Sequence, residues 1–182
     1  MSPGPANDLA SLTPALGRVQ LLVLDVDGVL TDGRLYYGAR GESLKVFHVR
    51  DGHGIKQVAA VGITVAIISG RKSAAVARRA RELGIRHVTQ GADDKVAALT
   101  RLAKSRSVAL EHCACVGDDT PDAPMLQAAG VAIAVADAHR DALAVADLVT
   151  TQPGGRGAVR EVCDWLLDAR RTRGALPSGT RT

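Results

Sequence analysis

Two acidic residues in the run Asp25-Val26-Asp27-Gly28 follow directly on the apolar stretch Leu21-Leu22-Val23-Leu24. Residues i and i+2 of an extended chain point to the same side, so the two carboxylates share one space and repel each other unless a cation lies between them. The device recurs downstream, where Ala114-Cys115-Val116 runs into Gly117-Asp118-Asp119, followed by Asp122. Two acid clusters at the ends of two core strands make an oxygen-rich pocket, which suits a hard ion such as Mg²⁺ bound through carboxylates, phosphate and water. Between them, Ser69-Gly70-Arg71 closes another apolar run, and Lys95 opens a helical pattern after Gly91-Ala92-Asp93-Asp94. A hydroxyl and backbone N–H groups at a helix N-terminus are ready phosphate ligands. An ammonium at that positive end gains nothing locally, so a bound anion would account for Lys95. Each fragment alone also reads as something plainer: an acidic strand-end turn, a strand-to-helix turn, a solvated lysine. Their joint occurrence behind successive strands favours chemistry.

Taken in order, the pieces make a reaction. Asp25 is a nucleophile able to form an aspartyl-phosphate, a recognised form of covalent catalysis by carboxylate. Asp27 is set to protonate the leaving oxygen and then to activate water. Mg²⁺ on Asp25, the main-chain carbonyl of Asp27 and Asp118 would neutralise the repulsion, while Ser69, Gly70 and Lys95 hold the phosphoryl oxygens and Asp119 and Asp122 support the loop. No Gly-x-x-x-x-Gly-Lys-Ser/Thr loop occurs, so P-loop nucleotide hydrolysis is not indicated.

These residues need a scaffold that lines up several strand ends. Apolar bursts at 19–26, 63–68, 86–89, 112–116, 131–134 and 147–149 read as strands, and the intervals 52–61, 73–83, 93–105, 121–129 and 138–146 carry helical patterns. Such alternation predicts an α/β fold, a Rossmann-like doubly wound parallel sheet whose ligands sit beyond the carboxyl ends of its strands. One interval breaks the rhythm: residues 34–37 and 42–48 around Gly38-Ala39-Arg40-Gly41 predict a small β-hairpin inserted at about 31–48. Residues 1–18 are expected to be a flexible lead-in with a helical turn near Leu9 to Leu12. The core domain spans 19–170, closed by a helix carrying Val159, Val162, Cys163, Leu166 and Leu167, and 171–182 form a flexible Arg-containing tail.

Composition agrees with one globular domain. The 182 residues are 46% hydrophobic and 23% charged. A net charge of +4 raises the question of nucleic acid, but the bases are dispersed and aromatics make up 2%, so stacking platforms are nearly absent and no nucleic-acid partner is expected. No stretch approaches the ~18 apolar residues of a membrane span. The three cysteines, Cys113, Cys115 and Cys163, are too few for a disulfide framework and read as packed thiols, consistent with a cytoplasmic protein.

The motifs Asp25-Val26-Asp27-Gly28-Val29-Leu30-Thr31-Asp32-Gly33, Ser69-Gly70-Arg71, Lys95 and Gly117-Asp118-Asp119 with Asp122 together resemble the four signatures of the haloacid dehalogenase (HAD) superfamily. Phe47-His48-Val49-Arg50-Asp51-Gly52, Val135-Ala136-Asp137-Ala138-His139 and the run Gly154-Gly155-Arg156-Gly157-Ala158 through Asp164 resemble, more narrowly, the 3-deoxy-D-manno-octulosonate 8-phosphate (KDO 8-phosphate) phosphatase family. The resemblance covers about residues 19–170. It implies a HAD-like domain without a separate cap, Mg²⁺-dependent release of phosphate from KDO 8-phosphate on the route to lipopolysaccharide, and a homotetramer assembled through its hairpins. In such an assembly the apolar Leu35, Tyr37, Leu44, Val46 and Phe47 gain partners that an isolated hairpin lacks. A sugar acid phosphate carries a carboxylate besides its phosphate, so Arg50 and Arg71, beside motif residues, are candidate substrate ligands; Arg156 is a candidate to reach a neighbour's site. The related substrates KDN 9-phosphate and N-acylneuraminate 9-phosphate are the alternatives, with unchanged chemistry. A non-catalytic relative would lack a motif-one aspartate, and both are present here.

Overall fold

The structure, a computed structural model, describes residues 8–39 and 41–175 of the 182. Six parallel strands form the central sheet: β1 (Leu21–Leu24), β4 (Thr64–Ser69), β5 (His87–Gln90), β6 (Cys113–Gly117), β7 (Val131–Ala134) and β8 (Leu148–Val149). Their spatial order is β5-β4-β1-β6-β7-β8. The chain thus leaves β1, adds two strands on one side, then returns across the sheet to add three on the other. Each of the six expected strands is present.

Strand β1 has all four residues buried because helices cover both faces of the sheet. Its side chains alternate: Leu22 and Leu24 pack with Ile55 and Val58 of α2 (Val49–Ala60), Val76 and Ala80 of α3 (Ala74–Leu83) and Val159, Val162 and Leu166 of α7 (Ala158–Ala175). Leu21 and Val23 pack on the other side with Ala98 and Leu99 of α4 (Lys95–Ser105) and Met125 and Leu126 of α5 (Ala123–Ala128). Period-two alternation in a strand feeding two helical layers is the doubly wound arrangement, each buried Leu contributing about 1.5–3 kcal/mol. Cys113 and Cys115 are part of the second layer, and burial pushes their thiols well up, Cys113 to about 11.

Some boundaries moved. The predicted helix at 121–129 begins instead as a 3-10 turn, Thr120–Asp122, in which Asp119 Oδ1 accepts from the Thr120 N–H at 2.7 Å. Only Arg140–Leu143 (α6) of the interval 138–146 is helical. The hairpin strands β2 (Tyr36–Gly38) and β3 (Gly41–Leu44) pair antiparallel as a separate two-stranded sheet, but β3 stops at Leu44 rather than 48, and the chain turns in with Lys45 buried.

Both ends of the domain carry more helix than expected. Within the supposed lead-in, α1 (Leu9–Leu16) is a full helix whose Leu16 is wholly buried. So short a helix is marginal alone; Leu12, Ala15 and Leu16, facing the core beside α7, hold it. At the other end α7 continues through Ala175, so residues 171–175 are helical. The reason is the arginines: Arg170 donates to the carbonyls of Val19 and Val61, each at 2.9 Å, and Arg173 to that of Gly17 at 3.0 Å. Gly17 and Val61 end α1 and α2, where orphan carbonyls favour a cation. The remaining expectations for residues 1–7 and 176–182 lie outside the described residues.

Candidate active site

Register delivers the chemistry. Leu24 of β1 lies opposite Ile67 of β4 and Val116 of β6, so the residues leaving these three strands emerge side by side. Asp25 and Asp118 directly follow β1 and β6, Ser69 is the last residue of β4, and the Asp25 N–H is still bound to the Val116 carbonyl at 3.1 Å. They line a cleft of about 430 Å³ together with Asp27, Gly70, Arg71, Lys95, Asp119 and Asp122. This is the strand-order switch at the carboxyl edge of the sheet.

Lys95 is not a solvated lysine. Its Nζ sits 2.7 Å from Asp25 Oδ1 and 2.6 Å from Asp122 Oδ1, with 9% of the side chain exposed. Burial works against the ammonium, but Asp25 and Asp122 outweigh it and raise its pKa. Asp122 is a bracket: its second oxygen accepts from the Asp118 and Asp119 N–H groups at 3.1 and 3.2 Å. The Asp118 carbonyl accepts from the His139 N–H at 2.7 Å, fixing the loop from the other side.

Negative charge remains in excess. Burial, then the Asp122 carboxylate, raises the pKa of Asp25 to about 7, although Lys95 pulls it down. Burial, then Asp25 and Asp122, raises Asp118 to about 8. One oxygen each from Asp25, Asp118 and Asp122 lies within 4.8 Å of the others. Both Asp122 oxygens are engaged, so Asp25 and Asp118 have the spare acceptor capacity. Hard oxygen donors with unbalanced charge fit a divalent cation such as Mg²⁺.

Gly28 makes the approach of Asp118 feasible. It has φ +96°, and a Cβ there would fall 2.0 Å from Asp118 Oδ2. The loop is buttressed by the glycine-rich segment before α7. A Cβ on Gly154 would lie 1.6 Å from the Gly28 carbonyl oxygen, and the Gly155 N–H donates to the Val29 carbonyl at 2.9 Å. The Gly154 N–H is held by Asp137 Oδ1 at 2.9 Å. The segments at 135–139 and 154–164 therefore brace the motif-one and Asp118 loops within one chain.

Asp27 is met by two cations. Its Oδ1 bonds the Lys45 ammonium, and its Oδ2 lies 3.6 Å from Arg71 Nε. Lys45 comes from the end of the hairpin and was missed by sequence reasoning. A lone lysine between Leu44 and Val46 in a predicted strand gave no signal beyond an interrupted apolar run. Glu42 ties the group together, accepting from Ser73 Oγ at 2.8 Å and lying 3.3 Å from both Lys45 Nζ and Arg71 Nη2. Burial opposes this carboxylate, yet the Ser73 hydroxyl and Lys45 hold its pKa below the ordinary value.

Arg50 is the exception among the expected site residues. It is exposed on the first turn of α2 and lines a different cavity with Arg156, Arg160 and Trp165, so within one chain it does not meet Asp25. The reason is that α2 anchors there by Asp51, whose Oδ1 accepts from the Arg160 N–H of α7 at 2.8 Å.

Residues 85–161 match the model of the haloacid dehalogenase-like hydrolases. The chain is 51% identical over 152 residues, 84% of its own length and 81% of the relative's, to the 3-deoxy-D-manno-octulosonate 8-phosphate phosphatase of Escherichia coli K12. It belongs to the KDO 8-phosphate phosphatase family. The Yersinia pestis enzyme of the same name is 45% identical over 167 residues, covering 92% of this chain and 88% of that one. Among solved structures, the Moraxella catarrhalis phosphatase in complex with magnesium, phosphate and KDO superposes with TM-score 0.87 at 44% identity, covering 91% and 95% of the two chains. The cobalt-bound Haemophilus influenzae protein gives 0.85 at 41% identity, covering 90% and 96%. The family fold, with its parallel sheet and flanking helices, is the one described above.

Proposed function

We propose that the protein is a Mg²⁺-dependent phosphoric monoester hydrolase that converts KDO 8-phosphate to KDO and inorganic phosphate, a step towards lipopolysaccharide. The observation carrying this reading is the juxtaposition of Asp25 and Asp118, both raised in pKa, beside the Lys95 ammonium at adjoining strand ends, in a chain 51% identical to such a phosphatase. Asp25 attacks phosphorus; the bond to the ester oxygen breaks, and its electron pair leaves on that oxygen with a proton from Asp27. Water then attacks the aspartyl-phosphate, giving its proton to Asp27 and restoring Asp25. Ser69 Oγ, the Gly70 N–H and Lys95 hold the phosphoryl oxygens; Asp119 and Asp122 keep the loop in place. Mg²⁺ on Asp25, the Asp27 carbonyl and Asp118 would neutralise charge between nucleophile and phosphoryl group.

Arg71 is the candidate ligand for the sugar carboxylate within the chain. Arg50 and Arg156 can serve only in a neighbour's cleft. Association is supported by the hairpin, where Leu35, Tyr37, Leu44 and Val46 are 42%, 65%, 53% and 52% exposed. The family resemblance supplies the homotetrameric count. The three buried free cysteines fit a cytoplasmic site of action, and no helix among the described residues is long and apolar enough to cross a membrane.

Phosphate release from KDO 8-phosphate, KDN 9-phosphate and N-acylneuraminate 9-phosphate, with and without EDTA, tests the reading. EDTA-sensitive preference for KDO 8-phosphate is expected; preference for a nine-carbon substrate would reassign the substrate.

A further inference from the structure

Lys45 is a charged residue where the fold has little reason to put one. Its side chain is 1% exposed, within a segment whose neighbours Leu44 and Val46 are left in solvent. Removing an ammonium from water is costly, and an apolar residue of similar volume often serves stability as well or better. What the ammonium gains is two carboxylates, Asp27 and Glu42, the latter fixed by Ser73 and Arg71. The bond to Asp27 falls on Oδ1 alone. Oδ2 faces Arg71 Nε at 3.6 Å, too long for a hydrogen bond, and Asp27 is among the residues that line the cleft.

We propose that Lys45 is a positioning residue for proton transfer: it clamps Asp27 by Oδ1 so that Oδ2 carries the proton to the leaving oxygen. Glu42 holds the clamp, so the hairpin completes the chemistry of its own chain besides any part it has in assembly. The inference rests on the reading of Asp27 as the acid. In the first half-reaction the P–O ester bond breaks, the electron pair stays with the departing oxygen, and the Asp27 Oδ2 proton moves to it. In the second half the attacking water returns a proton to the same oxygen.

A general acid matters most when the leaving group is poor, and kcat/KM reads the steps through departure of that group. The test is kcat/KM over substituted phenyl phosphates, from p-nitrophenyl to phenyl phosphate, which share a shape and make no sugar contacts. In Lys45→Met, phenyl phosphate should lose about tenfold more than p-nitrophenyl phosphate, and Asp27→Asn should show the same selective loss. Lys45→Arg should recover part of it by restoring the cation. Lys45→Gln provides the same comparison if circular dichroism shows Lys45→Met misfolded. An equal fall across the series in the Lys45 variants, or no fall, beside a selective loss in Asp27→Asn overturns the role of Lys45 and leaves the acid in place. An equal fall in Asp27→Asn overturns the acid assignment itself.

Discussion

At the scale of single residues the cleft is a charge problem. Asp25, Asp118 and Asp122 share one space with a single ammonium, and the raised pKa values of the first two record the imbalance. Asp25→Asn should abolish turnover while the metal-free protein melts at least as high at pH 8, because an amide ends repulsion that the carboxylate suffers. Residual activity near wild type would reject the nucleophile. The same shifts set a pH dependence. An aspartate in the unfolded chain releases its proton near pH ~4, whereas the folded protein keeps these two to about 7 and about 8. The folded state therefore binds more protons across that interval, so the stability these groups contribute is full below pH ~4 and lost as pH rises through 7 and 8. Asp25 and Asp118, as proposed Mg²⁺ ligands, would give up those protons when the ion binds. Thermal melts in EDTA and in Mg²⁺ should diverge between pH about 6 and about 9; a constant gap would count against Asp25 and Asp118 as ligands.

Among the elements, the packing of α2 on α7 determines where the family-specific segments go. Asp51, 1% exposed in the first turn of α2, accepts the Arg160 N–H, and burial raises its pKa although that bond lowers it. Asp51→Ala removes the acceptor and leaves a buried donor unmet, which should cost about 1–3 kcal/mol in urea unfolding. KM should change more than kcat, since the glycine-rich segment bracing the Asp25 loop leads into α7. Periodicity located both helices, but α2 begins at Val49 rather than 52 and α7 runs past 170. Local pattern cannot show that Arg170 and Arg173 hold carbonyls more than a hundred residues away. The same limit explains Arg50: neighbouring the Asp51-Gly52 motif in sequence said nothing about which face of α2 it would occupy.

For the whole molecule, the hairpin is the part left unfinished by one chain. Its two-stranded sheet is separate from the main one, and its large apolar side chains lie in solvent while Lys45 pairs with Asp27 and Glu42. Exposed apolar clusters of this kind mark association surfaces. Leu44→Asp with Val46→Asp should shift the mass measured by light scattering from that of the proposed tetramer to smaller species at micromolar concentration. An unchanged mass would place the contact elsewhere.

The sequence alone determined the strands, the doubly wound class and the acids and hydroxyl at the strand ends, because each follows from short-range pattern: apolar runs, period two, and a polar residue one step beyond. The tertiary structure decided which charges meet. Lys95 reaches Asp25 across 70 positions and Lys45 reaches Asp27 across 18. Whether a lysine is solvated or buried between carboxylates depends on how separate elements pack, and no local spacing encodes that.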